Sequence, residues 1–330
     1  GDAAQSNGQV PAGHAVRGVG LAMNRFTELI GCKLPVQQAG MSGTATPALA
    51  AAVANAGGLG MIGIGRQQFD VIERYLNELD ALTTSPVGCS CIGHFVRPEV
   101  VELAASRLPI VEFFYEWPDP ARVPDNVICG WQVGSVDEAK AAVDSGCRYV
   151  IAQGTEAGGH VRGQLPLEDV LPAVRAAVDV PVVAAGGIAD VAAVQRAIAL
   201  GADAVRVGTR FVATRESDAH PEYIDALVAA SADDSVLTEA FGLDWPGAPH
   251  RVLRSAIDAA TASSNDVVGQ TPLAEGGVMS MRRFSVSTPT RATTGDIQAM
   301  ALYAGRSVGS VTRLMTAAEV VEELSAPFRT

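Results

Sequence analysis

Residues 153–160, QGTEAGGH, place one titratable side chain behind two glycines at the end of a β-like run, YVIAQG. Paired glycines let a main chain approach a flat ligand with no Cβ in the way. An imidazole can hold or release a proton near neutral pH. Those types at that spacing suit a catalytic loop in which Gly158 and Gly159 flank a ligand and His160 faces the reacting group. The alternative is a surface turn that carries a histidine. Glu156 is a candidate either to orient His160 or to cap the local backbone.

Two further loops suit anion binding. AAGGIAD sets Gly186 and Gly187 before a helix opened by Asp190, and RVGTRF sets Gly208 and Thr209 at the next strand end. Exposed N–H groups beside a helix N-terminus form a cradle for phosphate. Arg210 is placed either to neutralise that phosphate or to form a surface ion pair. Glycines at Gly40, Gly63 and Gly65 leave a broad floor without bulky side chains. A flat cofactor with a phosphate tail, such as FMN, fits that floor.

These groups need a scaffold that brings them together. From Lys33 onward, short β-branched runs alternate with alanine-rich stretches of helical pattern. The runs are KLPVQQ, LGMIGIG, VGCSCIGHF, IVEFFYE, VICGWQV, YVIAQG, PVVAAGG and AVRVGTRF. Eight such runs predict an α/β chain folded as a (β/α)8 TIM barrel. A doubly wound sheet is the runner-up, and no GxGxxG follows the first run. The barrel is expected over 23–214 plus 291–330, with a small, mainly helical inserted subdomain over 215–290 before the C-terminal helix. Residues 1–22, small, polar and aperiodic, read as an unstructured lead. In such a barrel the site lies at the C-terminal strand ends, which gathers Ala39, Gly40, Met41, His94, Gln132, Gln153 and His160 on one face. His14, His220 and His250 fall outside the barrel strands and are expected in solvent.

Composition narrows the classes. The chain has 330 residues, 48% hydrophobic but only 5% aromatic, so its core is aliphatic, as a sheet buried on both faces requires. A formal net charge of −12 repels phosphate backbones and argues against a nucleic-acid partner. No apolar run reaches about 18 residues, which argues against a membrane span. Cys32, Cys89, Cys91, Cys129 and Cys147 show no CxxC spacing and read as reduced buried thiols of a cytoplasmic protein, not as a metal site. A homo-oligomer is compatible with all of this.

Four segments in order, PVQQAGMSGTATPALAAAVANAGGLGMIG, AQGTEAGGHVRG, PVVAAGGIADVAAVQRAIALGADAVRVGTRF and YAGRSVG, resemble the nitronate monooxygenase family, formerly the 2-nitropropane dioxygenases. The resemblance covers roughly residues 25–215 and the tail. It implies an FMN-bearing barrel. Ala39, Gly40 and Met41 would lie along the isoalloxazine edge, and Gly186, Gly187, Gly208 and Thr209 would hold the phosphate. Gln132 and Gln153 would reach the flavin from the barrel floor. Gly158 and Gly159 would sit beside the ring with His160 facing substrate, and Tyr303 to Gly309 would close over the cofactor.

Three activities follow as expectations. The first is oxidation of an alkyl nitronate, such as propionate 3-nitronate, by O2. The second is NAD(P)H-dependent reduction of a quinone or enoyl thioester. The third is a non-redox phosphate-binding barrel. One departure bears on substrate. The family loop often runs from AGGH directly to Arg-Gly, whereas Val161 intervenes here, which would displace Arg162 from the pocket. Arg282 and Arg283 are either a substrate-carboxylate site or a solvated turn.

Overall fold

All eight β-branched runs become strands of one parallel sheet. A computed structural model describes residues 24–116, 123–273 and 276–329; the lead over 1–22 and His14 lie outside them. The strands are β1 (Val36–Gln38), β2 (Gly60–Ile64), β3 (Val87–Ile92), β4 (Ile110–Phe114), β5 (Ile128–Val133), β6 (Tyr149–Gln153), β8 (Val182–Ala185) and β9 (Ala204–Val207), with a two-residue β7 (Gly159–His160) outside the barrel. Their order is β1-β9-β8-β6-β5-β4-β3-β2. The sheet closes where Leu59, just before β2, pairs with Gln37 of β1: Leu59 N–H donates to the Val36 carbonyl at 2.9 Å, and Gln38 N–H to the Leu59 carbonyl at 3.0 Å. This is the TIM barrel that the alternating pattern predicts.

Strand alternation decides what fills it, because successive side chains point to opposite faces. Val150 and Ala152 of β6, like Val205 and Val207 of β9, join the sheet–helix core, while Tyr149, Ile151 and Ala204 pack inside with Met61, Ile110 and Val183. Helix α1 (Arg25–Ile30) adds Phe26 to that interior cluster, edge-on to Tyr149 at 5.9 Å. Further along the strands the inward positions turn polar: Gln37, Ser90, Glu112 and Arg206, all buried. Cys89 and Cys91 face the helix layer together, with 4.0 Å between sulfurs, and Cys129 and Cys147 are 3.6 Å apart; all five thiols are buried and free.

Helix punctuation follows the sequence. Ser135 caps α5 (Val136–Asp144) and Asp190 caps α7 (Val191–Ala199) through side-chain bonds to Glu138 and Ala193 N–H. α6 (Leu167–Ala177) carries Pro172 in its interior. The last helix, α11 (Ala317–Ser325), opened by a Thr316–Glu319 capping box, joins the sheet–helix core through Ala317, Val320, Val321 and Leu324.

The insertion is mixed α/β, where a mainly helical one was expected. It holds α9 (Pro221–Ala229) and α10 (Arg254–Ala262), but also β10 (Ser235–Thr238), β11 (His250–Leu253), β12 (Val267–Pro272) and β13 (Val278–Arg282). The helix that opens at Pro221 is short. It stops at Ala229, a Ser231–Asp234 capping box closes a short 3₁₀ turn, and the chain then extends into β10. The second hydrophobic cluster runs from Val212 to Val311, so residues past 290, including β14 (Thr294–Gly295) against β12, pack with the insertion. Among the described residues no helix is long and apolar enough to cross a membrane.

Candidate active site

A cavity of about 840 Å³ opens at the C-terminal strand ends. Its lining includes Ala39, Gly40, Met41, Gln132, Gln153, Gly158, Gly159, His160, Gly186, Gly187, Gly208 and Thr209. The fold thus brings every residue singled out as catalytic or cofactor-binding to one chamber.

His160 is held from three directions. Its backbone belongs to β7, which pairs antiparallel with β11 in register His250↔His160, so the loop tip is in fact the edge of a small β10-β11-β7 sheet. Gln153 clamps this edge: its amide donates to the His160 carbonyl at 2.9 Å and accepts from Arg162 N–H at 3.0 Å. Both ends of that amide are therefore occupied beneath the loop rather than projecting freely upward. The imidazole stacks on Trp245 at 4.3 Å between ring centres, with Tyr303 at 5.7 Å and Tyr115 at 6.3 Å. Burial, and secondarily the neighbouring His250, push its pKa down to about 3. Its Nε2 is buried without a hydrogen-bond partner. In this state His160 is a neutral imidazole that lacks the partner a buried polar atom ordinarily has.

The other candidates separate clearly. Glu156 does not orient His160; its carboxylate accepts from Leu167 N–H at 3.0 Å and so caps α6. His94 is exposed, lies flat against Trp245 at 5.0 Å, and sits 3.6 Å from Glu116. His220 accepts from Glu222 N–H at the start of α9. His250 is fully buried against His160, not in solvent, because the β11–β7 ladder carries it into the site. Arg210 turns outward to Glu323 at 2.8 Å and to the Ser310 carbonyl. Arg162 pairs with Glu138 at 2.7 Å and stays out of the chamber, as the extra Val161 implied. Arg283 donates to the Ser263 carbonyl, and neither it nor Arg282 lines the cavity.

The loops after β8 and β9 fit a phosphate, with one change to the expected donors. Gly186 and Gly187 adopt φ of +110° and +70°, which a residue with a Cβ rarely does. The N–H groups of Gly186, Gly187, Gly208 and Thr209 donate to no main-chain carbonyl outside the sheet and helix ladders. The first turn of α7, however, is already closed by Asp190, which Ser310 also bonds at 2.8 Å. The glycine N–H groups, not that helix end, are the donors left for an anion. At Gly208 a Cβ would meet only ordinary contacts at 3.5 Å or more, so the open surface there is not required by internal packing. At Gly158 packing does decide: a Cβ would lie 2.4 Å from Gly305 N, in the tail that crosses the loop. That tail is pinned by Gly305 N–H to Thr209 Oγ1 at 3.0 Å and Arg306 N–H to the Glu156 carbonyl at 3.0 Å.

Arg206 and Trp245 were missed in the sequence, and His250 was misplaced. Arg206, on β9, lines the cavity with its guanidinium 2.7 Å from buried Glu112 and 3.3 Å from Ser90 Oγ. The inward register of AVRV was the available signal. Trp245 and His250 lie in the irregular WPGAPHR stretch, where nothing local marks them. Among the described residues no group of His, Cys, Asp and Glu is arranged to hold a metal ion.

A closed parallel barrel, with a glycine-floored chamber at the C-terminal strand ends and His160 on its wall, is a TIM barrel with its candidate site where such barrels carry theirs. A family profile described as nitronate monooxygenase matches residues 23–106 and 93–326. The chain belongs to the nitronate monooxygenase family. A probable nitronate monooxygenase of Staphylococcus aureus is 30% identical over 268 residues, 66% of this chain and 76% of that protein. Among solved structures, FabK from Thermotoga maritima aligns with a TM-score of 0.74 at 30% identity, covering 93% of this chain and 96% of that one. Nitroalkane oxidase from Streptomyces ansochromogenes aligns at 0.71 and 29% identity, covering 92% and 97%.

Proposed function

We propose that this chain is an FMN-dependent monooxygenase that oxidises small alkyl nitronates, of which propionate 3-nitronate is representative, with O2. FMN would lie in the chamber with its phosphate on the N–H groups of Gly186, Gly187, Gly208 and Thr209 and its ring edge along Ala39, Gly40 and Met41. Gln132 would face it from the strand end, while Gly158 and Gly159 would bring His160 to the substrate side. The bound flavin would supply the one-electron chemistry that joins nitronate oxidation to oxygen reduction.

Two observations carry this reading: His160 lines the glycine-floored chamber, and its Nε2 is buried without a hydrogen-bond partner. A neutral imidazole there can donate one hydrogen bond to a nitronate oxygen, and its conjugate acid is stabilised as the anion arrives. With a pKa of about 3 it is a weak base in the ligand-free site. Capture of a preformed nitronate therefore suits it better than proton abstraction from a neutral nitroalkane. Arg206, lining the same chamber, adds a guanidinium whose charge is balanced by Glu112 beneath it. Trp245, Tyr115 and Tyr303 exclude water around the imidazole.

One observation favours a second reading. The chamber extends past Tyr75 and Phe95 to the apolar Pro272, Leu273 and Met279 of the β12–β13 hairpin, more wall than a short nitronate uses. An NAD(P)H-dependent reductase of a quinone or enoyl thioester would use it. Anaerobic mixing of the flavin-loaded protein with NADH, NADPH and propionate 3-nitronate in parallel separates the readings. Bleaching by pyridine nucleotide selects the reductase. In a parallel aerobic assay, oxygen uptake with nitronate alone, lost about 10²-fold or more in His160→Ala with flavin retained, selects the monooxygenase.

A further inference from the structure

His250 lies directly across the β7–β11 ladder from His160, with ring centres 5.2 Å apart. It is fully buried, and both its nitrogens meet main-chain groups: Nδ1 is 2.9 Å from the Ala248 carbonyl and Nε2 accepts the Phe241 N–H at 3.1 Å. A carbonyl is satisfied only by an N–H, and an N–H only by a lone pair. The ring is therefore the neutral tautomer protonated on Nδ1. A second proton, on Nε2, would point at the Phe241 N–H and break that bond.

Among the described residues, the rings around His160 come from four segments. They are His250 from β11, Tyr115 after β4, Tyr303 from the tail and Trp245 from the insertion. Among the described residues no carboxylate bonds or ion-pairs with that imidazole. A histidine beside water or an anion gains a proton easily; enclosed by a locked neutral ring and aromatic side chains, with no carboxylate bonded to it, it loses the hydration its charged form needs.

We propose that His250 is a positioning residue for His160: locked uncharged by Ala248 and Phe241, it closes the back of the His160 ring together with stacked Trp245, and so fixes that ring in orientation and keeps it neutral until a ligand arrives. This rests on the reading of His160 as the ligand-facing group. The low pKa of His160 agrees with it.

Side-chain ¹⁵N NMR of the purified full chain with its bound flavin tests the proposal. Wild-type His160 is expected to stay neutral from about pH 8 down to about pH 5. His250→Ala admits water behind the ring, and the His160 midpoint is expected to rise by at least about one unit toward its ordinary value. His250→Gln, whose amide can donate to Ala248 and accept from Phe241, is expected to restore wild-type behaviour. Trp245→Leu leaves the β11 ladder intact and is expected to raise the midpoint too, which decides the matter if His250→Ala does not fold. Wild-type His160 titrating near its ordinary value overturns the proposal. So does an unchanged midpoint in folded His250→Ala and Trp245→Leu. If the titrations behave as expected but nitronate is not oxidised, the clamp stands and the proposed activity fails.

Discussion

Arg206 and Glu112 meet at 2.7 Å inside the barrel, both fully enclosed, with Arg206 facing the chamber and Glu112 beneath it. Glu112 also accepts the Tyr149 hydroxyl at 2.6 Å and the Gln37 amide. Opposite charges in so dry a place survive because each has several partners. Replacing Glu112 with Ala strands the guanidinium and is expected to cost about 3–5 kcal/mol. The double change Glu112→Leu with Arg206→Met removes both charges and is expected to cost less than Glu112→Ala alone. Urea denaturation of the three proteins checks the order; a single variant milder than the double one contradicts the account.

Burial of His160 gives stability a pH dependence of known sign. The unfolded histidine takes up a proton as pH falls through 6.5, whereas the folded one resists until about 3. Between those values the unfolded state binds more protons, so this contribution is fully present above 6.5 and is lost as pH falls toward 3. The slope for one such group is about 1.4 kcal/mol per pH unit. His160→Gln removes the group, and its stability curve between pH 6.5 and 4 is expected to be flatter than wild type by about that slope. Parallel curves for the two proteins in thermal or urea unfolding contradict a buried neutral imidazole.

The barrel was legible because parallel strands buried on both faces must be β-branched runs, and each run, from VQQ to AVRV, became a strand. The floor of the site was legible for the same reason, since strand ends carry it. What escaped notice depends on partners distant in sequence. Gly159–His160 is a strand only because β11, about ninety residues later, pairs with it, and that pairing also buries His250. Trp245 reaches His160 from a stretch with no periodicity. Arg206 and Glu112 were readable as inward charges by alternation, but two charges in separate strands declare themselves a pair only once the barrel closes.

Gly158 ties the histidine loop to the tail. A methyl group there would sit 2.4 Å from Gly305 N and 3.1 Å from Thr209 Oγ1, the two atoms whose bond pins the tail. Main chain cannot step aside cheaply, so Gly158→Ala is expected to displace the Tyr303–Gly309 segment and with it the wall beside His160. Flavin titration should show affinity weakened by about tenfold or more, equivalent to about 1.4 kcal/mol. Thr209→Val, which removes only the hydroxyl that accepts from Gly305, should weaken it in the same direction by less. Unaltered affinity in Gly158→Ala would mean that the tail does not help close the cofactor site.

Arg162 supplies the sharpest test of substrate handling. Val161 is buried, with its N–H on the Pro249 carbonyl and its carbonyl accepting the Tyr115 hydroxyl at 3.1 Å. That anchoring turns the next residue away from the chamber, and Glu138 holds its guanidinium at 2.7 Å beside the Tyr115 ring. An arginine already paired outside the cavity cannot bind a substrate anion within it. Arg162→Gln is therefore expected to leave KM for propionate 3-nitronate within about twofold of wild type, because an exposed pair of this kind is worth under about 1 kcal/mol. Arg206→Gln, by contrast, removes the buried cation that lines the chamber and is expected to raise KM for an anionic substrate by about tenfold, the loss of one charge-assisted hydrogen bond of about 1.5 kcal/mol. Steady-state kinetics of the two variants, with flavin content matched, compares them directly. A large KM increase in Arg162→Gln with none in Arg206→Gln would reverse the assignment and place the anion outside the glycine-floored chamber.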